Sequence, residues 1–226
     1  MNWKHFWDRQ ALASKGAKQV GRIMAGKELE PQLMLAIAKH ISEQLQLTET
    51  DNLLDVCCGN GYLSHMLLPY CQSIVGVDFS DKLIAEANKI GSNKMKFYAG
   101  DAQEFGLNQS FDKVVLYFSF QYFEDYESGK KVLANLLKHA APGALILIGD
   151  ICDKRKIWHY YNSPKKWWNW LKQSIKQKND MGKFWHPKEL DKICKKLGVK
   201  GSSITQESWQ PYSYYRFDYM VINHNN

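Results

Sequence analysis

The sequence predicts an α/β fold: a doubly wound, mostly parallel sheet with helices on both faces. Three observations predict it. Short apolar runs alternate with amphipathic segments between residues 52 and 149, five such runs recur at near-regular spacing, and two further β runs close the chain. The 226 residues, 45% of them hydrophobic, suit one domain with a substantial core. We therefore expect seven strands, the last two forming an antiparallel hairpin at one edge of the sheet.

The first five strands are predicted from apolar runs that end at turn or acidic residues, and amphipathic periodicity predicts the helices between them. Ser80 is placed to cap one of these helices and Gly91 to end it. The predicted strands cover residues 52–57, 73–77, 95–98, 111–117 and 144–149. The predicted helices cover residues 62–70, 81–90 and 127–140.

The two ends of the chain are predicted to complete the sheet and cover it. Residues 12–47 have apolar side chains at helical spacing, so we expect a helical segment that packs on the sheet. Residues 188–197 are predicted to form a helix between Pro187 and Gly198. Two strands, 199–208 and 212–222, follow it as the hairpin.

Residues 151–200 differ from the rest of the chain in charge and aromatic content. They carry 14 Lys and Arg against 4 Asp and Glu, and five of the eight tryptophans. Ser163 and Pro164 are placed to start a helix with apolar residues at Trp167, Leu171 and Ile175. Its lysines include Lys165, Lys172, Lys176 and Lys178. Three interpretations stay open: a lid over an active site, a helix at a membrane interface through 163–178, and an RNA-binding surface.

Composition excludes several classes of protein. The longest apolar run, 144–148, is far shorter than the ~20 residues of a membrane-spanning helix, and the N-terminus has no signal-peptide pattern. The five cysteines are odd in number and form no C-x-x-C, and no His/Cys group has the spacing of a zinc site. We therefore expect a soluble, cytoplasmic protein with reduced thiols and no metal site.

Polar residues that suit a nucleoside ligand follow three successive strands. Asp55 ends the first strand before the glycine-rich turn Gly59-Asn60-Gly61, where backbone without a Cβ allows close approach. Asp78 ends the second strand and suits a pair of ribose hydroxyls, and Asp101 with Ala102 follows the third and suits an adenine edge. The turn is neither a dinucleotide fingerprint, since residue 64 is serine, nor a Walker A loop.

These residues resemble the class I S-adenosylmethionine-dependent methyltransferases, whose fold is a Rossmann-like seven-stranded sheet. The resemblance covers about residues 50–150, and Asp-x-Cys-Cys-Gly-x-Gly is similar to the first loop of small-molecule and quinone C-methyltransferases. It implies S-adenosylmethionine as cofactor, with Asp55, Gly59 and Gly61 at the methionine moiety. It implies ribose and adenine contacts from the residues Asp78, Phe79, Asp101 and Ala102, and a methyl-transfer side lined by Tyr117 and Phe118. Cys57 departs from the commoner pattern, which has glycine there.

Each of these residues also has a purely structural interpretation. Asp55 and Asp78 can cap the following helices, and Asp101 can be a turn residue. Tyr117 and Phe118 can be core aromatics. The catalytic residues are left undetermined, because a base is needed only if the acceptor arrives protonated. The candidate bases are Tyr122, His159, Tyr160 and His186.

The functional hypothesis is transfer of a methyl group to an O, N or C atom of a small-molecule acceptor. The alternatives are an RNA methyltransferase, an enzyme acting on a lipid or quinone at a membrane surface, and a protein that binds the cofactor without catalysis. Residues 117–122 lack the Asn/Asp-Pro-Pro-Tyr/Phe signature and the cysteine of nucleic-acid base methylation. We divide the single domain 1–226 into four parts: a helical cover (1–50), a cofactor-binding core (51–150), a substrate lid (151–186), and a closing helix and hairpin (187–226). Oligomeric state is left open.

Overall fold

The computed structural model describes residues 2–24, 26–175 and 181–224, which contain a seven-stranded mixed sheet with helices on both faces. The helices are α1 (Trp3–Ala13), α2 (Gly16–Gln19), α3 (Pro31–Leu45), α4 (Tyr62–Leu67), α5 (Asp81–Ala87), α6 (Tyr126–His139), α7 (Ile157–Tyr160), α8 (Pro164–Ile175) and α9 (Pro187–Lys196). The strands are β1 (Ile23–Met24), β2 (Lys27–Glu28), β3 (Asn52–Val56), β4 (Ser73–Asp78), β5 (Met95–Ala99), β6 (Phe111–Tyr117), β7 (Ala140–Cys152), β8 (Lys200–Thr205) and β9 (Arg216–Ile222). No helix within these three ranges is both long and apolar enough to cross a bilayer.

The main sheet has the strand order β5-β4-β3-β6-β7-β9-β8, which confirms the predicted fold class. The first five of these strands are parallel, β9 runs antiparallel to β7, and β8 pairs antiparallel with β9. The order reverses between β3 and its neighbours β4 and β6. In doubly wound sheets the crevice at such a switch point is where ligands bind.

Both faces of the sheet are buried, which explains the nearly continuous apolar strands. Leu53 points into a core shared with α3, α4 and α5, and Leu54 points into the opposite core shared with α6 and α9. Alternate residues of one strand therefore serve different cores. A covering segment on the sheet was expected, and α3 supplies it with Ile37, Ile41 and Leu45 fully buried.

The N-terminal region is less uniformly helical than the sequence predicts. Residues 12–47 include the end of α1, the single-turn α2 and the short hairpin of β1 and β2 before α3 begins at Pro31. Proline is favoured at the first position of a helix, where its missing N–H is not needed. Gly21 and Gly26 have positive φ and allow the turns around this hairpin.

The strands of the C-terminal half differ in extent from the prediction. β7 begins at Ala140, where the sequence predicts the end of a helix, and runs to Cys152 with an irregular register between Ile148 and Ile151. β9 begins only at Arg216, because residues 207–215 form turns instead of the predicted strand. This leaves the four residues 212–215 beside the sheet.

The segment predicted as a lid is partly core. Ile151, Cys152 and Trp185 are fully buried, and the Trp185 indole donates to the carbonyl of Phe120 at 3.2 Å. Only part of the predicted lid, residues 151–186, therefore lies outside the core. Trp167 and Trp168 are exposed on α8, although the apolar stripe to which Trp167 was assigned was expected to cover the site. Lys176 and Lys178 lie outside the described residues.

Candidate functional site

A first cavity of about 700 Å³ opens at the carboxyl ends of β4 and β5. It brings together four of the predicted cofactor residues, which are Asp78, Phe79, Asp101 and Ala102. The other residues around it are Trp3, Trp7, Cys57, Val77, Gly100, Gln103, Ser119, Tyr122 and Phe123. Two carboxylates among apolar walls make a site for a partly apolar ligand with hydroxyl or amino groups.

Asp78 is buried at the end of β4 and holds the loop after β3 in place. One carboxylate oxygen accepts the Gly59 N–H at 3.0 Å, and the other accepts the Ser80 N–H at 2.9 Å. Burial raises the pKa of Asp78 to about 6, although these two hydrogen bonds act in the opposite direction. Each oxygen keeps a lone pair that a ligand hydroxyl can use.

Asp101 is exposed at the far side of this cavity. Its carboxylate accepts the Gln103 N–H at 2.8 Å, which is the turn role given as the structural interpretation. Ala102 is buried beside it. Asp101 thus serves as a turn residue and also faces the cavity.

The N-terminal helix α1 roofs the first cavity, which the sequence did not predict. The ring centroids of Trp3 and Tyr122 lie 4.4 Å apart, and Trp7 stands edge-on to the same tyrosine. The Trp3 indole Nε1 is buried without a hydrogen-bond partner in the described chain, although it borders the cavity. A buried donor of this kind is costly unless a ligand accepts from it. The early tryptophans gave no periodic signal by which sequence alone could place them.

Asp55, Gly59 and Gly61 do not line the first cavity. Asp55 is buried and accepts the Ser64 hydroxyl at 2.6 Å, and burial raises the pKa of its carboxyl to about 7. A Cβ added to Gly59 would lie 2.6 Å from the Val20 side chain, and one added to Gly61 would lie 2.8 Å from Phe97. Their missing Cβ atoms therefore make room for protein side chains, and contact of this loop with the methionine moiety stays a prediction.

The backbone of the loop after β3 is strained at Cys57. This residue has φ 62°, in the left-handed region that glycine adopts freely and other residues adopt at a cost of about 1–2 kcal/mol. Gly59 and Gly61 share that conformation, with φ 59° and 73°. The chain therefore places cysteine where the backbone favours the glycine of the commoner pattern. Burial raises the pKa of the Cys57 thiol, which keeps it neutral.

Tyr117 and Phe118, predicted to line one side of the site, separate in the structure. Tyr117 is buried, and its hydroxyl donates to Asp218 at 3.3 Å and accepts from Gln210 at 3.1 Å. Phe118 lies against a second cavity, and the guanidinium carbon of Arg22 lies 3.8 Å from its ring centroid. Only Phe118 of this pair faces open space.

The second cavity is larger, about 1180 Å³, and meets the first at Tyr122. Its inner end contains Gly21, Arg22, Phe118 and Tyr122. The outer walls are formed by Ile23, Met24, Gln121, Asp150, Tyr160, Lys166, Met181, Tyr212, Tyr214, Tyr215 and Arg216. The tyrosines come from 160 and from the turns at 212–215 that the sequence had assigned to a strand.

Arg22 is a site residue that sequence reasoning missed. Its guanidinium forms no hydrogen bond or ion pair within the part of the chain that the structure describes, apart from its contact with the Phe118 ring. Burial lowers the pKa of Arg22, although the nearby charge of Asp150 acts in the opposite direction. Its surroundings in sequence, Gly21-Arg22-Ile23, carry no recognisable motif.

The candidate bases differ in whether they line a cavity. His186 caps α9, where its ring nitrogen accepts the Lys188 N–H at 3.1 Å. His159 is exposed, its ring lies 3.0 Å from the Tyr214 carbonyl oxygen, and it borders neither cavity. Tyr160 lines the second cavity, and Tyr122 lines both. Burial raises the pKa of Tyr122, so its phenol stays protonated near neutral pH.

The known proteins that are similar to this chain include methyltransferases. Residues 53–143 match a family described as a methyltransferase domain. The chain is 30% identical over 147 residues to a malonyl-[acyl-carrier protein] O-methyltransferase of Acetivibrio thermocellus, covering 63% of this chain and 50% of that protein. It is 27% identical over 104 residues to nodulation protein S of Sinorhizobium fredii, covering 45% and 48%. The chain spans about half the length, or less, of these curated relatives.

Solved structures share the whole fold. The N-methyltransferase NodS of Bradyrhizobium japonicum, in complex with S-adenosyl-L-homocysteine, superposes with a TM-score of 0.65 at 16% identity over 100% of both chains. A putative methyltransferase solved with the Trm112 methyltransferase activator of Haloferax volcanii gives 0.71 at 14% identity, over 97% of this chain and 98% of that one. At these identities the likeness establishes the fold.

Proposed function

We propose that this protein, whose residues 53–143 match a methyltransferase-domain family, transfers a methyl group from S-adenosylmethionine to a small molecule. The observation that carries the proposal is the pair of adjoining cavities at the carboxyl edge of the sheet, with Tyr122 between them. The first has the chemistry of a nucleoside site and the second is large enough for an acceptor. The acceptor atom, O, N or C, is left open.

The residues of the first cavity fit the adenosine end of the cofactor. Asp78 has free lone pairs for ribose hydroxyls, and Phe79 offers an apolar wall for the base. Asp101 and the Ala102 backbone suit an adenine edge. The unpartnered Trp3 indole N–H supports the fit, because a ligand acceptor would satisfy it.

Arg22 fits the other end of the cofactor. Its guanidinium lacks an ion-pair partner in the described chain and lines the second cavity, against Phe118. A methionine carboxylate there would receive charge-assisted hydrogen bonds. When bound, S-adenosylmethionine supplies a methyl group on a positively charged sulfur, so the protein chiefly positions the acceptor.

The aromatic residues around the junction perform this positioning. Trp3, Trp7 and Tyr122 close the first cavity, which excludes water from the reacting groups. Because its phenol is protonated, Tyr122 is suited to donate a hydrogen bond to an acceptor. The raised pKa of this phenol favours the donor role over that of a base at neutral pH. The exposed helix α8 serves as the lid over the second cavity, with Lys166 contributing to its wall.

Thiol chemistry supports the proposal of a cytoplasmic location. All five cysteines are free, and four of them are buried. A reducing compartment, the cytoplasm, maintains such thiols.

Asp78→Asn tests the cofactor assignment. Loss of the charged acceptor should weaken the binding of S-adenosylhomocysteine about 10- to 100-fold, because hydrogen bonds to charged groups are worth about 1.5–3 kcal/mol. For the unchanged protein, affinity should fall as the pH drops through about 6, where Asp78 becomes protonated. Calorimetry measures both effects, with the exposed Glu104→Gln as control.

Two results of the calorimetric experiment would contradict two different proposals, the role of Asp78 and the function of the protein. Unchanged affinity in a folded Asp78→Asn variant would show that Asp78 does not bind the ribose. No binding of S-adenosylhomocysteine or S-adenosylmethionine to the unchanged protein would overturn the proposed function itself.

A methyl acceptor at a membrane surface is the second candidate, favoured by exposed aromatic residues on a basic helix. Trp167 and Trp168 are 43% and 52% exposed on α8, beside Lys165 and Lys172. Tryptophan and lysine together are typical of interfacial helices. Cosedimentation with anionic liposomes that Trp167→Ala and Trp168→Ala abolish, and that Trp209→Ala preserves, would support it. Salt-sensitive binding to RNA through the same lysines would favour a nucleic-acid acceptor instead.

A further inference from the structure

The second cavity is lined by more cationic than anionic side chains among the described residues. Arg22, Lys166 and Arg216 face it, and Asp150 is the only carboxylate among the described residues that line it. Asp150 is already paired with Arg216, whose guanidinium nitrogen lies 2.8 Å from the carboxylate. Lys166 therefore has no countercharge among the described residues that line the cavity.

The contacts of Lys166 are with neutral groups. Its ammonium donates to the Tyr160 carbonyl at 3.1 Å and to the Asn162 side chain at 3.4 Å, and lies 4.9 Å from the centre of the Tyr160 ring. It forms no ion pair with any residue in the described ranges. The ammonium group has three N–H donors and carries a full charge, so an anion in the cavity would gain from it.

A second donor of the same cavity is unsatisfied. Arg216 is buried, with its terminal nitrogens donating to the Asp150 carbonyl and the Tyr215 hydroxyl. Its Nε has no hydrogen-bond partner among the described residues. Leaving a buried charged donor unpaired costs free energy, so the local positive charge of Arg216 is only partly compensated by its neighbours.

The remaining walls are apolar or aromatic and electrically neutral. Burial raises the pKa values of Tyr122, Tyr212, Tyr214 and Tyr215, so none of these phenols supplies a negative charge near neutral pH. Their rings, with Met181, offer flat surfaces for a planar ligand body. The cavity thus combines unpaired cationic donors with faces suited to an aromatic ring.

We propose that the second cavity binds an acceptor with a planar apolar body and an acidic group, carboxylate or phosphate, that is held by Lys166. The proposal rests on the proposed function, since it assigns the acceptor class of that enzyme. Arg22 is reserved for the cofactor carboxylate, so Lys166 is the cation left for the acceptor.

The test is calorimetric titration of the protein saturated with S-adenosylhomocysteine, which occupies the cofactor site first. Benzoate and phenyl phosphate are the acidic probes, benzamide the neutral one and benzylamine the cationic one. We expect an acidic probe to bind at least about tenfold more tightly than benzamide, and benzylamine least tightly. The stronger of the two acids identifies the carboxylate or the phosphate as the preferred group.

Variants of Lys166 test whether this side chain causes the preference for an acidic probe. Lys166→Gln should lose about tenfold in affinity for the preferred acid and leave benzamide binding unchanged. Lys166→Arg should retain the preference, and Lys165→Gln, next in sequence and outside the cavity, should behave as the unchanged protein.

Equal affinity for all four probes, tightest binding of benzylamine, or no binding of either acid at millimolar concentration would overturn the acceptor class. If S-adenosylhomocysteine binds in any of these cases, the proposed function stands. If it does not bind, the proposed function fails, and titration of the same probes into the free protein still decides whether Lys166 selects an acid.

Discussion

At the scale of single residues, Asp55 shows how burial changes the role of a carboxylate. It ends β3 where a ligand-binding acid was expected, and it is 2% exposed, with the Ser64 hydroxyl as its hydrogen-bond donor. Burial raises its pKa to about 7, and the nearby charge of Asp78 adds to the effect. The folded protein therefore binds a proton that the unfolded chain, with a pKa of 3.8, releases.

This difference predicts the effect of Asp55→Asn on stability. The pKa is higher in the folded state, so the folded protein loses stability as pH rises from about 4 to about 7, and above 7 the full cost is present. Asparagine can accept from Ser64 without a charge. Asp55→Asn should therefore increase the free energy of unfolding at pH 8 by roughly 3–4 kcal/mol and by little at pH 4.

Urea unfolding at pH 4, 6 and 8 measures the difference, with the exposed Glu104→Gln as a control for the loss of one charge. A variant that is less stable than the parent at pH 8 would mean that the folded protein needs the ionised carboxylate.

At the scale of elements, the N-terminal segment and the loop after β3 fit each other closely. Val20 follows α2, and its Cγ1 occupies the space beside Gly59 in which a Cβ would lie. Asn60 in the same loop donates to the Gly16 carbonyl at 2.9 Å and to Gln19 at 2.8 Å. The segment thus holds the loop from the side opposite to Asp78.

Gly59→Ala should destabilise the protein more than an alanine at a glycine of similar φ. Gly198 has φ 74° and open space where a Cβ would lie, so Gly198→Ala should cost only about 1–2 kcal/mol of backbone strain. At Gly59 the overlap with Val20 adds roughly 1–3 kcal/mol. Thermal unfolding of both variants measures the difference.

Val20→Ala provides the further check, because it removes the overlap and should recover part of the loss in a Gly59→Ala background. Strict additivity of the two changes would show that this contact does not account for the cost.

At the scale of the whole molecule, a buried polar network joins the parallel and antiparallel parts of the sheet. Arg216 of β9 donates to Asp150 of β7, whose own N–H donates to Asp218 at 2.7 Å. Gln206 donates to Asp218 at 2.8 Å, so the turn after β8 belongs to the same network. Asp150 has φ 58°, where the pairing of β7 with β9 is irregular.

Arg216→Met should lower the free energy of unfolding by about 3–5 kcal/mol, because it leaves the buried Asp150 without its cation. Adding Asp150→Asn should recover much of that loss, since the remaining group is then neutral. Chemical denaturation of the two variants tests the pairing, and no recovery in the double variant would contradict it.

Periodicity and turn residues were sufficient for most of the fold. The apolar runs ending at Asp55 and Asp78 predicted strands correctly, and Ser80 caps α5 as expected, accepting the Leu83 N–H at 3.2 Å. The parts predicted less well are those set by distant contacts. Residues 212–215 alternate like a strand, yet they form turns whose tyrosines pack on one another and on Arg216.

The residues of the candidate site also fall into two groups, those that the sequence predicts and those that depend on distant contacts. Asp78, Phe79, Asp101 and Ala102 could be predicted together, because parallel strands bring their carboxyl ends to one edge. Arg22 and Trp3 could not, since they reach that edge from a segment with no pattern of its own. Asp55 was placed at the correct end of its strand, but only the packing of Ser64 decides that it faces inward.

The sequence by itself therefore determined the order of strands and helices, the edge at which ligands meet the sheet, and the chemistry available there. These depend on local periodicity and on the geometry of parallel strands, which a chain carries in its own order of residues. The tertiary structure alone decided which cations and carboxylates lack a charged partner among the described residues: Arg22 and Lys166 line the second cavity without one, while Asp55 and Asp150 have partners. Pairing and burial depend on residues far apart in the chain, so no pattern along it records them.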